Sequence, residues 1–195
     1  MAEIKSTLEK VLERAAAMGQ ASKEELASEE KHKQGMRLAA DYLQGKAADL
    51  SGSQELIEKE VLFRKGLVEV FLRNIILPKD EDQQRTEKAI QGLLELGQNS
   101  GELATIFSEM KQVLDHYLQH KKEIRNQVEE AFRQQMEQAM AQQTGQAGLG
   151  MKVDPSLHPK FQEEWTRIMG ELDEQYSQAL NQHKNLVAQK FLVTL

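Results

Sequence analysis

Three histidines of this sequence could share a metal site. His116 and His120 are four residues apart in a segment without proline or glycine, so on a helix both rings project from the same side. If the chain folds back near residue 150, residues whose numbers sum to about 300 lie level, and Tyr117 then lies beside His183. Because imidazole nitrogens are good zinc ligands, the three histidines predict a metal site. We favour the simpler interpretation, ordinary surface and interface histidines, because no metalloenzyme motif frames them.

A glycine-rich segment over residues 148–165 is a second candidate site, since exposed apolar residues at such a tip can enter a partner groove or a membrane surface. The apolar side chains concerned are Leu149, Met151, Val153, Phe161 and Trp165. The alternative is a plain connector in which the first three fold back against the two aromatic rings. Asp154-Pro155 and His158-Pro159 then serve as turn and cap signals.

The sequence lacks the residue patterns of the common catalytic sites. It has no cysteine, which excludes thiolate nucleophiles and cysteine-bound metals. The paired acids Glu129-Glu130 and Glu163-Glu164 are successive on predicted helices, so the members of each pair point in different directions. The glycines near residue 148 follow no strand and form no phosphate-binding loop. We therefore expect neither enzymatic activity nor a cofactor.

Charge and hydropathy indicate the class of partner. The chain has 31 acidic and 25 basic residues, a net charge of −6, and no basic block, which argues against nucleic acid and against an anionic membrane surface. The most apolar stretch, residues 61–77, is interrupted by four charged side chains, so a membrane span is not expected. The N-terminus has no apolar signal segment. We expect a cytoplasmic protein that binds a protein partner or itself, for instance as a homodimer.

The elements that must position these residues are helices, because 195 residues include only three prolines and no alternating strand pattern. We predict a helix over residues 4–18 that stops at Gly19, a second helix that a Ser22–Glu25 capping box opens, and a third over residues 54–77. The third is apolar nearly all round its second half and should be the centre of a bundle. A shorter helix follows Pro78, capped by Asp80 or Asp82.

Two long helices are predicted over residues 102–143 and 159–193. The first carries an apolar stripe spaced 4-3-4-3 from Leu103 to Tyr117 and then mostly by four as far as Met140, a pattern typical of a coiled coil with changing supercoil. We expect an all-α fold: an antiparallel, coiled-coil-like helical hairpin over residues 99–195, its tip at 144–159. A smaller bundle over residues 1–98 should pack at its open end.

Two segments resemble a family of small uncharacterised bacterial helical proteins. They are residues 1–14, MAEIKSTLEKVLER, and the later stretch that contains Val153-Asp154-Pro155 and HPKFQEEW over residues 158–165. The resemblance implies a bacterial cytoplasmic protein without an assigned activity. It implies no catalytic or binding residues.

The sequence thus predicts a non-catalytic scaffold or adaptor that binds through helix packing. Two alternatives stay open at this point. One is a peripheral membrane-associated hairpin, and the other is a metal-binding protein that uses the three histidines.

Overall fold

The computed structural model describes residues 7–79, 83–144 and 154–193, and these are entirely without β-strands. The all-α prediction is confirmed. Six α-helices lie in the described ranges: α1 Thr7–Leu43, α2 Gln54–Lys59, α3 Val61–Asn74, α4 Gln84–Leu96, α5 Gly101–Thr144 and α6 Pro159–Val193. Short 3-10 helices lie at Ser51–Ser53 and Pro155–Leu157.

The chain forms two compact units. The first comprises residues 1–75, 84–100 and 188–195, and the second comprises residues 76–83 and 101–187. This division differs from the sequence-based boundary at residue 98, because the end of α6 belongs to the first unit and the segment after α3 belongs to the second. The position of the bundle relative to the hairpin stays a prediction.

In the first unit, α3 packs against α1, α2 and α4, as its all-round apolar character predicts. Phe63, Leu67 and Phe71 of α3 are buried. Two glycines allow α1 and α3 to cross with their backbones in contact. A Cβ atom at Gly35 would overlap the carbonyl oxygen of Phe63, and one at Gly66 would overlap that of His32. This close crossing fixes how α3 is oriented on α1.

Hydrogen bonds between side chains join the helices of the first unit. The Tyr42 hydroxyl donates to the Glu95 carboxylate at 2.8 Å, and its ring meets Phe71 edge-on with the centroids 5.6 Å apart. His32 of α1 lies 3.0 Å from the Glu69 carboxylate of α3, from Nε2 to Oε2. These two bonds connect α1 with α4 and α1 with α3.

The predicted boundaries of the first two helices are wrong. Residues 7–43 form one helix that passes without a break through Gly19 and through Ser22–Glu25, so no second helix begins at the predicted capping box. An interior glycine costs about 1 kcal/mol relative to alanine, too little to end a helix flanked by good helix formers.

The helix predicted over residues 54–77 is divided at Glu60, whose φ of −106° and ψ of 96° are extended, and it ends at Asn74. The break leaves few backbone groups unpaired, because the Glu60 amide donates to the Leu56 carbonyl and the Glu60 carbonyl accepts from the Arg64 amide. The proposed caps Asp80 and Asp82 lie outside the described residues.

The second unit contains α5 and most of α6. Helix α5 has 44 residues and is about 66 Å long. The pairs that touch across the two helices run in opposite order: Glu109 with His183, Tyr117 with Asp173, and Phe132 with Phe161. The two helices are therefore antiparallel. Residues 145–158 connect them, and of these the structure describes residues 154–158, with the 3-10 helix Pro155–Leu157.

Candidate partner-binding surface

The apolar residues of α5 divide into two groups that differ in exposure. We call the first group the proximal stripe: Leu103, Phe107, Met110, Leu114 and Tyr117. Its members are 0–5 % exposed. The strict 4-3-4-3 spacing that predicted this stripe places all five on one face, and the structure buries that face.

The second group, the distal stripe, consists of Ile124, Val128, Phe132 and Met136 on α5 with Trp165 and Ile168 on α6. None of the six side chains is buried, and all are partly exposed. Two helices that pack side by side cover only one flank of each other, so apolar residues beside the seam stay in contact with water. The stripe on α5 is about 18 Å long, or about three helical turns.

Aromatic contacts hold the two helices together along the distal stripe. Phe132 meets Phe161 edge-on with the ring centroids 5.4 Å apart, and Phe161 is 1 % exposed. The Arg125 guanidinium lies 5.8 Å from the centroid of the Trp165 ring, a cation–π contact. The stripe therefore lies beside direct contacts between α5 and α6.

Charged residues of both signs, joined in ion pairs, flank the distal stripe. Arg125 pairs with Glu129 at 2.7 Å, and Arg167 pairs with Glu164 at 2.6 Å and with Glu171 at 2.9 Å. Hydrogen bonding from Arg167 lowers the pKa of the Glu164 carboxyl. An apolar strip with a mixed, polar border is typical of protein-binding surfaces.

The structure does not bring the three predicted metal-binding histidines together. Tyr117 lies level with Asp173 and Tyr176, not with His183, so the predicted register is wrong. His120 Nδ1 lies 3.4 Å from the Tyr176 hydroxyl. His183 Nδ1 instead lies 3.5 Å from Glu109 Oε2, close enough for an ion pair but without hydrogen-bond geometry.

His116 of the same predicted set is exposed. Within residues 7–79, 83–144 and 154–193, no three His, Asp or Glu side chains form a group that could hold a metal ion. The physical reason is the register of the two helices. His183 lies beside Glu109, which is eleven residues, or about 16 Å along α5, from His120.

Of the five residues predicted to bind a partner at the hairpin tip, the structure describes two. Leu149, Met151 and Val153 lie outside the described residues, so the partner-binding and membrane-binding hypotheses that rest on them stay predictions. Phe161 is buried between the helices, where a partner does not reach it, whereas Trp165 is partly exposed in the distal stripe. The connector interpretation, in which Leu149, Met151 and Val153 fold back against Phe161 and Trp165, also stays a prediction.

Leu157 is an exposed apolar residue that the sequence analysis did not single out. It ends the 3-10 helix Pro155–Leu157 and is 81 % exposed, compared with 62 % for Leu26 and 54 % for Ile76. The Asp154 carboxylate accepts from the Ser156 amide and caps this short helix. A leucine between two proline turns was the available signal, because such turns prevent the side chain from folding into a helix seam.

None of the helices in the described ranges combines the length and the apolar character that a membrane span requires. A family model described as "Family of unknown function (DUF6657)" matches residues 53–189. The match includes α2 to α5 and most of α6, and it contains the resembling stretch over residues 158–165 but not that over residues 1–14. No curated protein and no solved structure matches the chain. Because the family model covers more than half of the sequence, the chain belongs to the family of unknown function DUF6657.

Proposed function

We propose that this protein is a non-catalytic scaffold or adaptor of the cytoplasm that binds a helix of another protein molecule along the distal stripe. The observation that carries the proposal is the change in burial along α5. The proximal stripe is 0–5 % exposed, whereas every member of the distal stripe is partly exposed. Apolar surface left in water is a favourable site for association, because its burial releases free energy in proportion to the covered area.

The shape of the stripe favours a helical partner. Its α5 residues recur every four positions and form a ridge along the helix, and an amphipathic helix can pack its own i, i+3 and i+4 side chains against such a ridge. A partner helix of three to four turns would cover the whole α5 part of the stripe. The charges of both signs beside it would orient that helix rather than attract nucleic acid.

The first test asks whether the protein self-associates, because a second copy of the chain carries the same stripe and could pack against it. Val128 is partly exposed in the stripe, and its neighbour Gln127 is exposed and polar. We compare the wild type with Val128→Glu and with the matched control Gln127→Glu by sedimentation velocity over a range of concentrations. If the partner is a second copy, the wild type and Gln127→Glu associate and Val128→Glu sediments as a monomer. Circular dichroism melting verifies that both variants are folded.

If the wild type is a monomer, the test moves to other proteins. A photo-crosslinking phenylalanine analogue is placed at position 128 or at position 127 in cells, and adducts are identified by mass spectrometry. The proposal predicts a discrete adduct from position 128 that position 127 does not give. A monomeric protein without any adduct specific to position 128 would refute it.

A further inference from the structure

The first unit contains a pocket of about 160 Å³ that is open to solvent on part of its boundary. One wall is α3, through Val61, Val68 and Leu72, and the other is the end of α6, through Ala188 and Phe191. These walls are almost wholly apolar. Cavities of about 150 Å³ accept a molecule the size of benzene, so this pocket suits a ligand of about six carbon atoms.

A cation without a partner lies in this apolar wall. Arg64 lines the pocket and is partly buried, and its Nε atom is buried without a hydrogen-bond acceptor. No residue of the described ranges forms an ion pair with its guanidinium. A guanidinium that is partly removed from water and has no counter-charge is a favourable site for an anion.

The other charged residues of the pocket already have partners. Glu69 Oε1 lies 4.0 Å from Lys65 Nζ, and Glu69 Oε2 lies 3.0 Å from His32 Nε2. Since this acid is engaged on both oxygens, it does not neutralise Arg64. One uncompensated positive charge fits a monoanion such as a carboxylate better than a doubly charged phosphate.

Helix α3, which carries Arg64, is held in place by a close contact with α1. Gly66, two residues after Arg64, lies against the α1 backbone so closely that a Cβ atom there would overlap the His32 carbonyl oxygen. This contact fixes the rotation of α3 and therefore the side of α3 from which Arg64 projects. The guanidinium itself can turn toward the pocket, since no internal hydrogen bond at Nε holds it back.

We propose that this pocket binds a small anionic amphiphile, a carboxylate on a short apolar chain of about six carbons. The carboxylate accepts hydrogen bonds from the Arg64 guanidinium, and the chain packs against Val68, Leu72 and Phe191. A guanidinium presents two parallel N–H donors that match the two oxygens of a carboxylate. The proposal is independent of the distal stripe and of any protein partner.

The test titrates the full-length protein with hexanoate and follows the arginine Nε–H signals by ¹H–¹⁵N NMR. The signal of Arg64 is identified as the one that disappears in Arg64→Lys. We expect this signal to move and to saturate with hexanoate. Hexan-1-ol has the same apolar chain without the charge and should bind at least about tenfold more weakly.

Three variants separate the contributions of charge and shape, with binding followed through backbone amide signals. Arg64→Lys keeps the charge but loses the planar donor pair, and should weaken hexanoate binding at least about tenfold. Arg73→Lys, at an exposed position of the same helix, is the matched control and should bind as the wild type does. Ala188→Leu should block the pocket without removing any charge.

Three results would overturn the proposal. They are equal affinity for hexanoate and hexan-1-ol, wild-type affinity in Arg64→Lys, and an Arg64 signal that hexanoate does not move up to its solubility limit. Thermal melting shows whether each variant is folded. Because no protein partner is present in this assay, a negative result here leaves the proposed scaffold function untouched.

Discussion

The hydroxyl of Tyr117 on α5 donates a 2.7 Å hydrogen bond to the carboxylate of Asp173 on α6. The Tyr117 side chain is 3 % exposed, and its ring meets that of Tyr176 edge-on with the centroids 5.5 Å apart. A tyrosine hydroxyl that leaves water needs an acceptor, and in this fold only one alignment of the two helices supplies Asp173. The bond therefore selects the register of α5 on α6.

Removal of this bond should destabilise the protein. We expect Tyr117→Phe to lower the free energy of unfolding by about 1–2 kcal/mol, because the buried hydroxyl donates to a charged group. Urea denaturation followed by circular dichroism measures the difference. The matched control is Tyr176→Phe. The hydroxyl that this substitution removes makes only a 3.4 Å contact with His120, so the loss of stability should be less than about 0.5 kcal/mol. Equal losses in the two variants would contradict the assigned role.

The same tyrosine predicts a loss of stability at alkaline pH. Burial, followed by the hydrogen bond to Asp173, raises the pKa of Tyr117 well above its ordinary value of 10.0, and burial and Glu95 do the same to the pKa of Tyr42. A raised folded-state pKa stabilises the protein fully below the unfolded pKa, and this contribution is lost as the pH rises above it. The free energy of unfolding should therefore fall above about pH 10.

The check is urea denaturation at several pH values between about 9 and 11. The double variant Tyr42→Phe with Tyr117→Phe is less stable at neutral pH but should lose stability less steeply as the pH rises. Tyr176→Phe should follow the wild type. A double variant with the wild-type slope would show that other groups cause the alkaline loss.

Two helix glycines should respond to alanine with opposite signs. Gly66 faces the α1 backbone, so Gly66→Ala should force α1 and α3 apart and lower the free energy of unfolding by about 1–3 kcal/mol. Gly170 in α6 has open space around the position of a Cβ atom. Gly170→Ala should therefore raise the free energy of unfolding by about 0.5–1 kcal/mol, because alanine has the higher helix propensity. Thermal and urea denaturation give both values. A Gly66→Ala variant as stable as the wild type would contradict the close crossing of α1 and α3.

Phe161 should serve the fold rather than a partner. Its side chain is 1 % exposed and packs on Phe132, so Phe161→Ala should cost about 3–5 kcal/mol of stability. Leu157→Ala is the control: a side chain that is 81 % exposed should cost less than about 0.5 kcal/mol. Denaturation of both variants decides the point. A stable, folded Phe161→Ala protein would return this residue to the list of binding candidates.

Much of the secondary structure could be predicted because its signals are local. The start of α6 at Pro159 and the break between Leu96 and Gly101 follow from proline and glycine positions, and both are observed. Gly19 and Glu60 show where such signals fail. A lone glycine did not end α1, and an ordinary glutamate interrupts the predicted third helix, because backbone hydrogen bonding and packing outweigh single-residue propensities of about 1 kcal/mol.

The candidate surface was predictable only in part. The spacing of Ile124, Val128, Phe132 and Met136 placed them on one face of α5, but spacing cannot say whether a neighbour covers that face. The histidine site failed for a related reason. Tyr117 contacts Asp173 and Tyr176, ten and seven residues before its predicted neighbour His183, and this shift separates imidazoles that a simple fold about residue 150 would have joined.

The sequence by itself determined that this protein is helical, that two long helices run over about residues 102–143 and 159–193, and which face of each of these two is apolar. Composition, periodicity and the positions of three prolines are enough for that, since each acts within a few residues of the chain. Only the tertiary structure decided the register of α5 on α6, the burial of Phe161, the exposure of the distal stripe and the isolation of Arg64 in its pocket. These depend on contacts between residues far apart in sequence, and the packing of whole side chains selects one arrangement among several that the apolar pattern allows.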